Sequence, residues 1–310
     1  MKILPYILLL TTLSALGQSD RRNTRNKGAG VPEKVIEAYE SASFHGMPYR
    51  LLLPEDYDSS IRYPLILSLH GGSGIGDDNL SQLRRWTSIF VGPDWREKYP
   101  CVVVVPQSWD SWLAFNERAP DPESSDQTWE SPVWEKFLSA RGYPSDLYST
   151  GSLTLAFLLV DDISRRYSVD EDRVYVLGHS GGGFGSWNAI WHDPGRFAAA
   201  IPSAGGLLPW KDPARFKDVP VWTFHGDADP VVPVEFTREI FERIKKVGGI
   251  VKFTELGGVK HGAERFAFKY KGDDPDKKFI THSSSNRCDQ TEDIWEWLFS
   301  QRRQRLREIK

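Results

Sequence analysis

The segment from Val174 to Gly185 restricts the fold more than any other part of this 310-residue chain. Val174 to Leu177 is a short β-branched and aliphatic run bounded by glycine, which reads as a buried strand. Gly178-His179-Ser180-Gly181-Gly182 follows, and Ser186 to His192 resumes at helical spacing with Trp187, Ile190 and Trp191. A serine between glycines, on a tight turn from strand to helix, fits the G-x-S-x-G elbow, which stands its hydroxyl clear of a sheet edge. Ser180 is therefore the candidate nucleophile, and the backbone N–H of Gly181 lies where it can hold an oxyanion.

Other strand-like runs end in equally specific loops. Pro64 to Leu69 is apolar at nearly every position, as a strand buried on both faces requires, and it ends in His70-Gly71-Gly72-Ser73-Gly74. Glycines there let a substrate approach backbone N–H groups, which makes Gly72 the second candidate oxyanion donor. Cys101 to Val105, Phe197 to Ile201, Val219 to Phe224 and Val251 to Leu256 read as further strands. Leu153 to Tyr167, Val234 to Val247 and Glu292 to Gln301 carry helical periodicity. Strands alternating with helices from Pro64 onward predict an α/β fold with a mostly parallel sheet and helices on both faces. Glu37 to Phe44 and Tyr49 to Leu53, joined by His45 to Pro48, predict an antiparallel hairpin at the N-terminal edge.

In such a sheet the chemistry sits outside the carboxyl ends of the strands. Serine, then aspartate, then histidine is the chain order of an α/β-hydrolase site. Asp227 and Asp229 follow the strand ending at Phe224, and both are candidates for the acid. His261 directly follows the strand ending at Leu256, while His282 competes because it also precedes the final helix. His70, His179 and His225 adjoin motif glycines and read as turn-shaping residues, and no His/Cys/Asp spacing suggests zinc.

The chain start reads as targeting sequence. Met1-Lys2, the apolar run Ile3 to Leu16 and the small-residue site before Gln18 predict a signal peptide over 1–17, hence a secreted or periplasmic protein. The apolar run falls short of the roughly 20 residues needed to span a bilayer, so no membrane attachment is expected after cleavage. A polar leader over 18–35 is expected to be disordered, followed by one catalytic domain over 36–303. The formal charge of −3 supplies no basic field for nucleic acid. Cys101 and Cys288 are open to pairing or to remaining free thiols, and oligomeric state is left open too.

Taken together, the segments Leu67 to Gly72, Val105 to Gln107, Asp172 to Trp187, Arg196 to Pro202, Pro220 to Pro233 and Trp297 to Gln301 carry a resemblance. They are similar to the secreted esterase branch of the α/β-hydrolases, which groups polyhydroxybutyrate-depolymerase-like, feruloyl and acetylxylan esterases with dienelactone-hydrolase and prolyl-oligopeptidase-like catalytic domains. The match runs from about Tyr49 to Arg302. The resemblance implies Asp229 as the acid and His261 as the base. It implies a cofactor-free serine esterase acting on a small-molecule or polysaccharide-linked ester, of acetyl or feruloyl type.

Two competing readings remain: a prolyl-oligopeptidase-like peptidase, against which the absence of room for a propeller domain counts, and an inactive carbohydrate-binding homologue. Two departures from the family pattern stand out. Residues 108–150 form a tryptophan-rich insertion, in which Trp109 and Trp112 are candidate platforms for substrate, and Glu264 to Asn286 reads as an extra loop.

Overall fold

Strand residues sort alternately onto two apolar layers, and that alternation places the helices. On β3 (Tyr63–Leu69) Leu65, Leu67 and Leu69 face one layer and Ile66 the other. On β4 (Val102–Pro106) Val102 and Val104 are opposed to Val103 and Val105 in the same way. The computed structural model describes residues 30–112 and 151–303. The first layer is covered by α3 (Ser152–Arg166), α4 (Gly181–His192) and α5 (Glu235–Lys246). The second is covered by α1 (Glu33–Ala38), the 3-10 turn Arg85–Ile89, and α7 (Ile294–Ser300). Between them α2 (Pro93–Lys98) packs Trp95 on the second layer, where rings of Phe90, Trp295 and Phe299 meet it edge-on.

Among the described residues the sheet has nine strands in the order β1-β2-β4-β3-β5-β6-β7-β8-β9. β5 (Val169–His179), β6 (Ala199–Ser203), β7 (Val221–Gly226) and β8 (Val251–Leu256) follow β3 and β4 in parallel register. The predicted N-terminal hairpin is present as β1 (Glu40–Phe44) and β2 (Met47–Leu52), antiparallel to each other and to β4. Its turn is only His45-Gly46, both at positive φ (46° and 84°), the conformation that matches the twist of paired strands. This is an α/β-hydrolase fold.

Three elements differ from the sequence reading. Residues 33–38 form α1, so the first strand begins at Glu40 and not at Glu37; of the leader expected over 18–35, only residues from 30 on are described. The predicted extra loop between Glu264 and Asn286 contains a short helix, α6 (Glu264–Ala267), and a ninth strand, β9 (Phe279–Ser283), antiparallel to β8. The helix expected from Ser186 starts at Gly181, directly after the serine. The expected signal peptide and all of the insertion beyond Trp112 up to residue 150 lie outside the described residues.

Cys101 and Cys288 are both buried and free. No helix among the described residues is long and apolar enough to cross a membrane.

Candidate active site

The turn that presents Ser180 is strained and tightly packed. Ser180 has φ 58° and ψ −118°, a region that costs a non-glycine residue of order 1–3 kcal/mol and persists only where the surroundings enforce it. The enforcement is close packing of α4 onto the sheet. A β-carbon at Gly182 would fall 1.8 Å from the Leu69 carbonyl oxygen, and one at Gly178 would fall 2.5 Å from the same atom. Any side chain at either position would push the helix off β3 and release the turn. The Ser180 N–H donates to the Ser203 carbonyl (2.9 Å), which fixes the turn to β6.

Two other loops reach Ser180. The hydroxyl lies 2.9 Å from Nε2 of His261, and Nδ1 of His261 lies 2.7 Å from Oδ2 of Asp229. The contact with Asp229 requires the proton on Nδ1, which leaves Nε2 as an acceptor for the serine proton. Asp229 is buried with 0% side-chain exposure, yet its carboxyl is held far below the usual carboxylate range. Burial alone would raise it; hydrogen bonds from His225 and His261 and from the N–H groups of Val232 and Val231 outweigh burial. Asp227 takes a different part, accepting from the Gly258 N–H at 2.6 Å and so pinning the loop that leads to His261.

The candidate oxyanion donors also meet. Gly181 opens α4 and Gly72 opens a 3-10 turn, so neither N–H is consumed by its own helix. A β-carbon at Gly181 would stand 3.5 Å from the Gly72 nitrogen, which puts the two backbones side by side next to Ser180.

The glycine loop is braced from β4. Gln107 donates to the Gly74 carbonyl (3.0 Å) and accepts from the Asn79 N–H (2.6 Å). The Ser108 N–H donates to Nε2 of His70 (2.9 Å), so His70 carries its proton on Nδ1 and donates it to the Gly71 carbonyl (2.8 Å). Burial pushes His70 down to about 4, outweighing the Gly71 hydrogen bond and the nearby Asp78. His70 is thus a neutral strut, as its position beside motif glycines predicts.

The remaining predicted residues separate. His282 lies on β9 opposite Phe253, with its ring near Phe241 and Phe253, which removes it from the serine. Trp112 is 3% exposed, packs against the His70 ring and donates its indole N–H to the His70 carbonyl. It is therefore a packing residue and not the platform expected of it. Trp109 is 44% exposed.

The sequence marks His225 only as a turn residue, but its Nε2 lies 3.4 Å from Oδ2 of Asp229. Among the described residues no group of three or more His, Cys, Asp or Glu side chains could hold a metal ion.

Comparison with known proteins agrees with the fold. A solved structure described as a thermostable esterase matches 87% of this chain at TM-score 0.65 and 28% identity, covering 64% of its own length. "Probable feruloyl esterase C" of Aspergillus niger is 23% identical over 244 residues, 77% of this chain and 74% of the relative. NocK of Nocardia uniformis subsp. tsuyamanensis, named provisionally as an esterase, is 33% identical over 102 residues. The chain spans 29% of the length of NocK and under two thirds of the thermostable esterase. No protein-family model matches. The chain shares the α/β-hydrolase fold, and these three similar proteins carry esterase names.

Proposed function

We propose that the protein is a serine carboxylic-ester hydrolase working through Ser180, His261 and Asp229. The observation that carries this reading is the continuous hydrogen-bonded line Ser180 Oγ, His261 Nε2 and Nδ1, Asp229 Oδ2, at 2.9 and 2.7 Å. As the serine oxygen attacks the ester carbonyl, His261 takes its proton and Asp229 stabilises the imidazolium. The tetrahedral oxyanion is held by the N–H groups of Gly72 and Gly181. Collapse expels the alcohol, which takes the proton from His261, and water repeats the cycle on the acyl-enzyme to release the acid.

The substrate proposed is a carbohydrate-linked ester of acetyl or feruloyl type. The relative named feruloyl esterase C and exposed Trp109 beside the glycine loop support this reading. Export is proposed from the Met1–Gly17 segment, with one catalytic domain over 36–303. Fluorophosphonate labelling of the purified mature chain tests the nucleophile, with Ser180→Ala as control. Acetylated and feruloylated xylan fragments, short p-nitrophenyl esters and peptides test the class. Labelling of Ser180 with ester turnover is expected; labelling with amide turnover alone would make it a peptidase, and no labelling would remove Ser180.

A further inference from the structure

The base loop leads into a buried carboxylate that, unlike Asp229 on the acid loop, has no part in the proposed reaction. Glu264 opens α6, three residues after His261, and its side chain is 3% exposed. Its Oε1 receives Nη1 of Arg85 at 2.5 Å, from a turn far away in the chain. Its Oε2 stands 3.2 Å from Nε2 of His179, the residue before Ser180. Oε2 of Glu264 has no other hydrogen-bond partner among the described residues.

Nδ1 of His179 faces the Ser203 hydroxyl at 3.2 Å, and that hydroxyl can donate to it, which leaves the His179 proton on Nε2, toward the carboxylate. The His179 ring in turn lies against the His261 ring, centroids 4.9 Å apart. Glu264 therefore ties together the serine turn, the base loop and the Arg85 turn.

Only the carboxylate end of this pair is buried, and desolvating it offsets much of the attraction, so the pair is better suited to fixing one arrangement among several than to adding stability. Arg85 even holds a left-handed backbone (φ 71°), costly for arginine, at the position that delivers its guanidinium to Glu264.

We propose that Glu264, charge-balanced by Arg85, is a positioning residue that locks His261 to the serine turn through His179 and sets the electrostatic surroundings of its imidazolium. The inference rests on the reading of Ser180, His261 and Asp229 as the hydrolytic groups. Among the described residues the other charged or titratable groups around His261 are Asp229 on Nδ1, His225 behind Asp229 and His179 on the ring face, with the Arg265 guanidinium beside Gly262, the next residue in the chain. Burial holds His179 neutral, aided by repulsion from His261 and Arg85, so Glu264 and Arg85 are the charges behind it. Glu264→Gln leaves the Arg85 cation uncompensated behind His179, which disfavours the His261 imidazolium.

The test is steady-state hydrolysis of a short p-nitrophenyl ester by the purified chain across pH. Glu264→Gln is expected to lower kcat about tenfold with KM within about twofold, and to move the acid limb of kcat/KM to lower pH by roughly half a unit to one unit. Adding Arg85→Met to Glu264→Gln should bring that limb back toward wild type, since both charges are then gone. Should Glu264→Gln fail to fold, Arg85→Met at the 43%-exposed end of the pair is expected to lose kcat by loosening Glu264, and Arg85→Lys to restore it.

An unmoved limb with wild-type kcat, or losses shared by kcat and KM with a lowered Tm and an unmoved limb, overturns the proposal. A wild-type chain that neither hydrolyses esters nor reacts with fluorophosphonate overturns the proposed function itself, which separates the two failures.

Discussion

Nε2 of His225 lies 3.4 Å from Oδ2 of Asp229, the oxygen that also receives Nδ1 of His261 at 2.7 Å. His225 is fully buried, with Nδ1 on the Thr237 hydroxyl (2.7 Å) and Nε2 also on the Val232 carbonyl (3.0 Å), so it holds the acid loop from behind. His225→Ala removes that support while sparing every group of the proposed reaction. It is expected to cut kcat by about 10- to 100-fold, the range typical of groups that orient functional ligands, with little change in KM. Steady-state kinetics on a short ester check this, and a change confined to KM would contradict it.

Truncating the two candidate bases distinguishes them. His261→Ala should be as damaging as Ser180→Ala, about 10³-fold or more in kcat, because a hydrogen-bonded set of this kind loses nearly everything with one member. His282→Ala, on the β9 edge, should leave kcat within about twofold. Equal losses at both histidines would contradict the geometry.

The tryptophans at the start of the insertion should behave differently from each other. Trp112→Ala opens a cavity beside His70 and removes an indole hydrogen bond, and should cost about 3–5 kcal/mol, read as a lower Tm. Trp109→Ala should leave Tm nearly unchanged and raise KM for a feruloyl or sugar ester with little effect on a short acetyl ester. The same change in KM on both substrates, or none on either, would take Trp109 out of substrate contact.

Acid sensitivity follows from two buried imidazoles. His70 is pushed down to about 4 by burial, and His179 is also held well below the ordinary imidazole value, again chiefly by burial. Unfolded, both would take up protons near the ordinary imidazole value of 6.5. The unfolded chain then binds protons that the native one refuses, so stability is full above about 6.5 and falls as pH drops toward about 4. The slope is about 1.4 kcal/mol per pH unit for each proton. Tm measured from pH 7.5 to 4.5 should decline through that window; a flat Tm would show that both imidazoles are protonated in the native state.

What the sequence makes legible is the central machinery, because it is written in local patterns. Strand, glycine turn and helix around Ser180 lie within a dozen residues, and strand ends order Ser180, an aspartate and His261, the choice of Asp229 over Asp227 coming from the family resemblance. β9 is hidden because an edge strand draws its order from pairing with β8; its burial alternates weakly and Ile280 is 37% exposed, so no apolar run marks it. α1 is hidden for a similar reason, since Val35 is its single buried residue. The contacts of Glu264 with Arg85 and of His225 with Asp229 have no local signature. Glu264 and Arg85 are 179 positions apart, and His225, near the end of β7, and Asp229, in the loop after it, are four apart, with nothing in their spacing to set Asp229 off from Asp227.

The two thiols, buried and unbridged, bear on how the chain reaches its native state. Burial pushes the Cys101 thiol upward and out of its reactive range, so it does not compete for oxidants once folding is complete. Nothing in the fold waits for an oxidation step. The protein can therefore mature without a disulfide catalyst, and its activity should be indifferent to reductant on either side of a membrane.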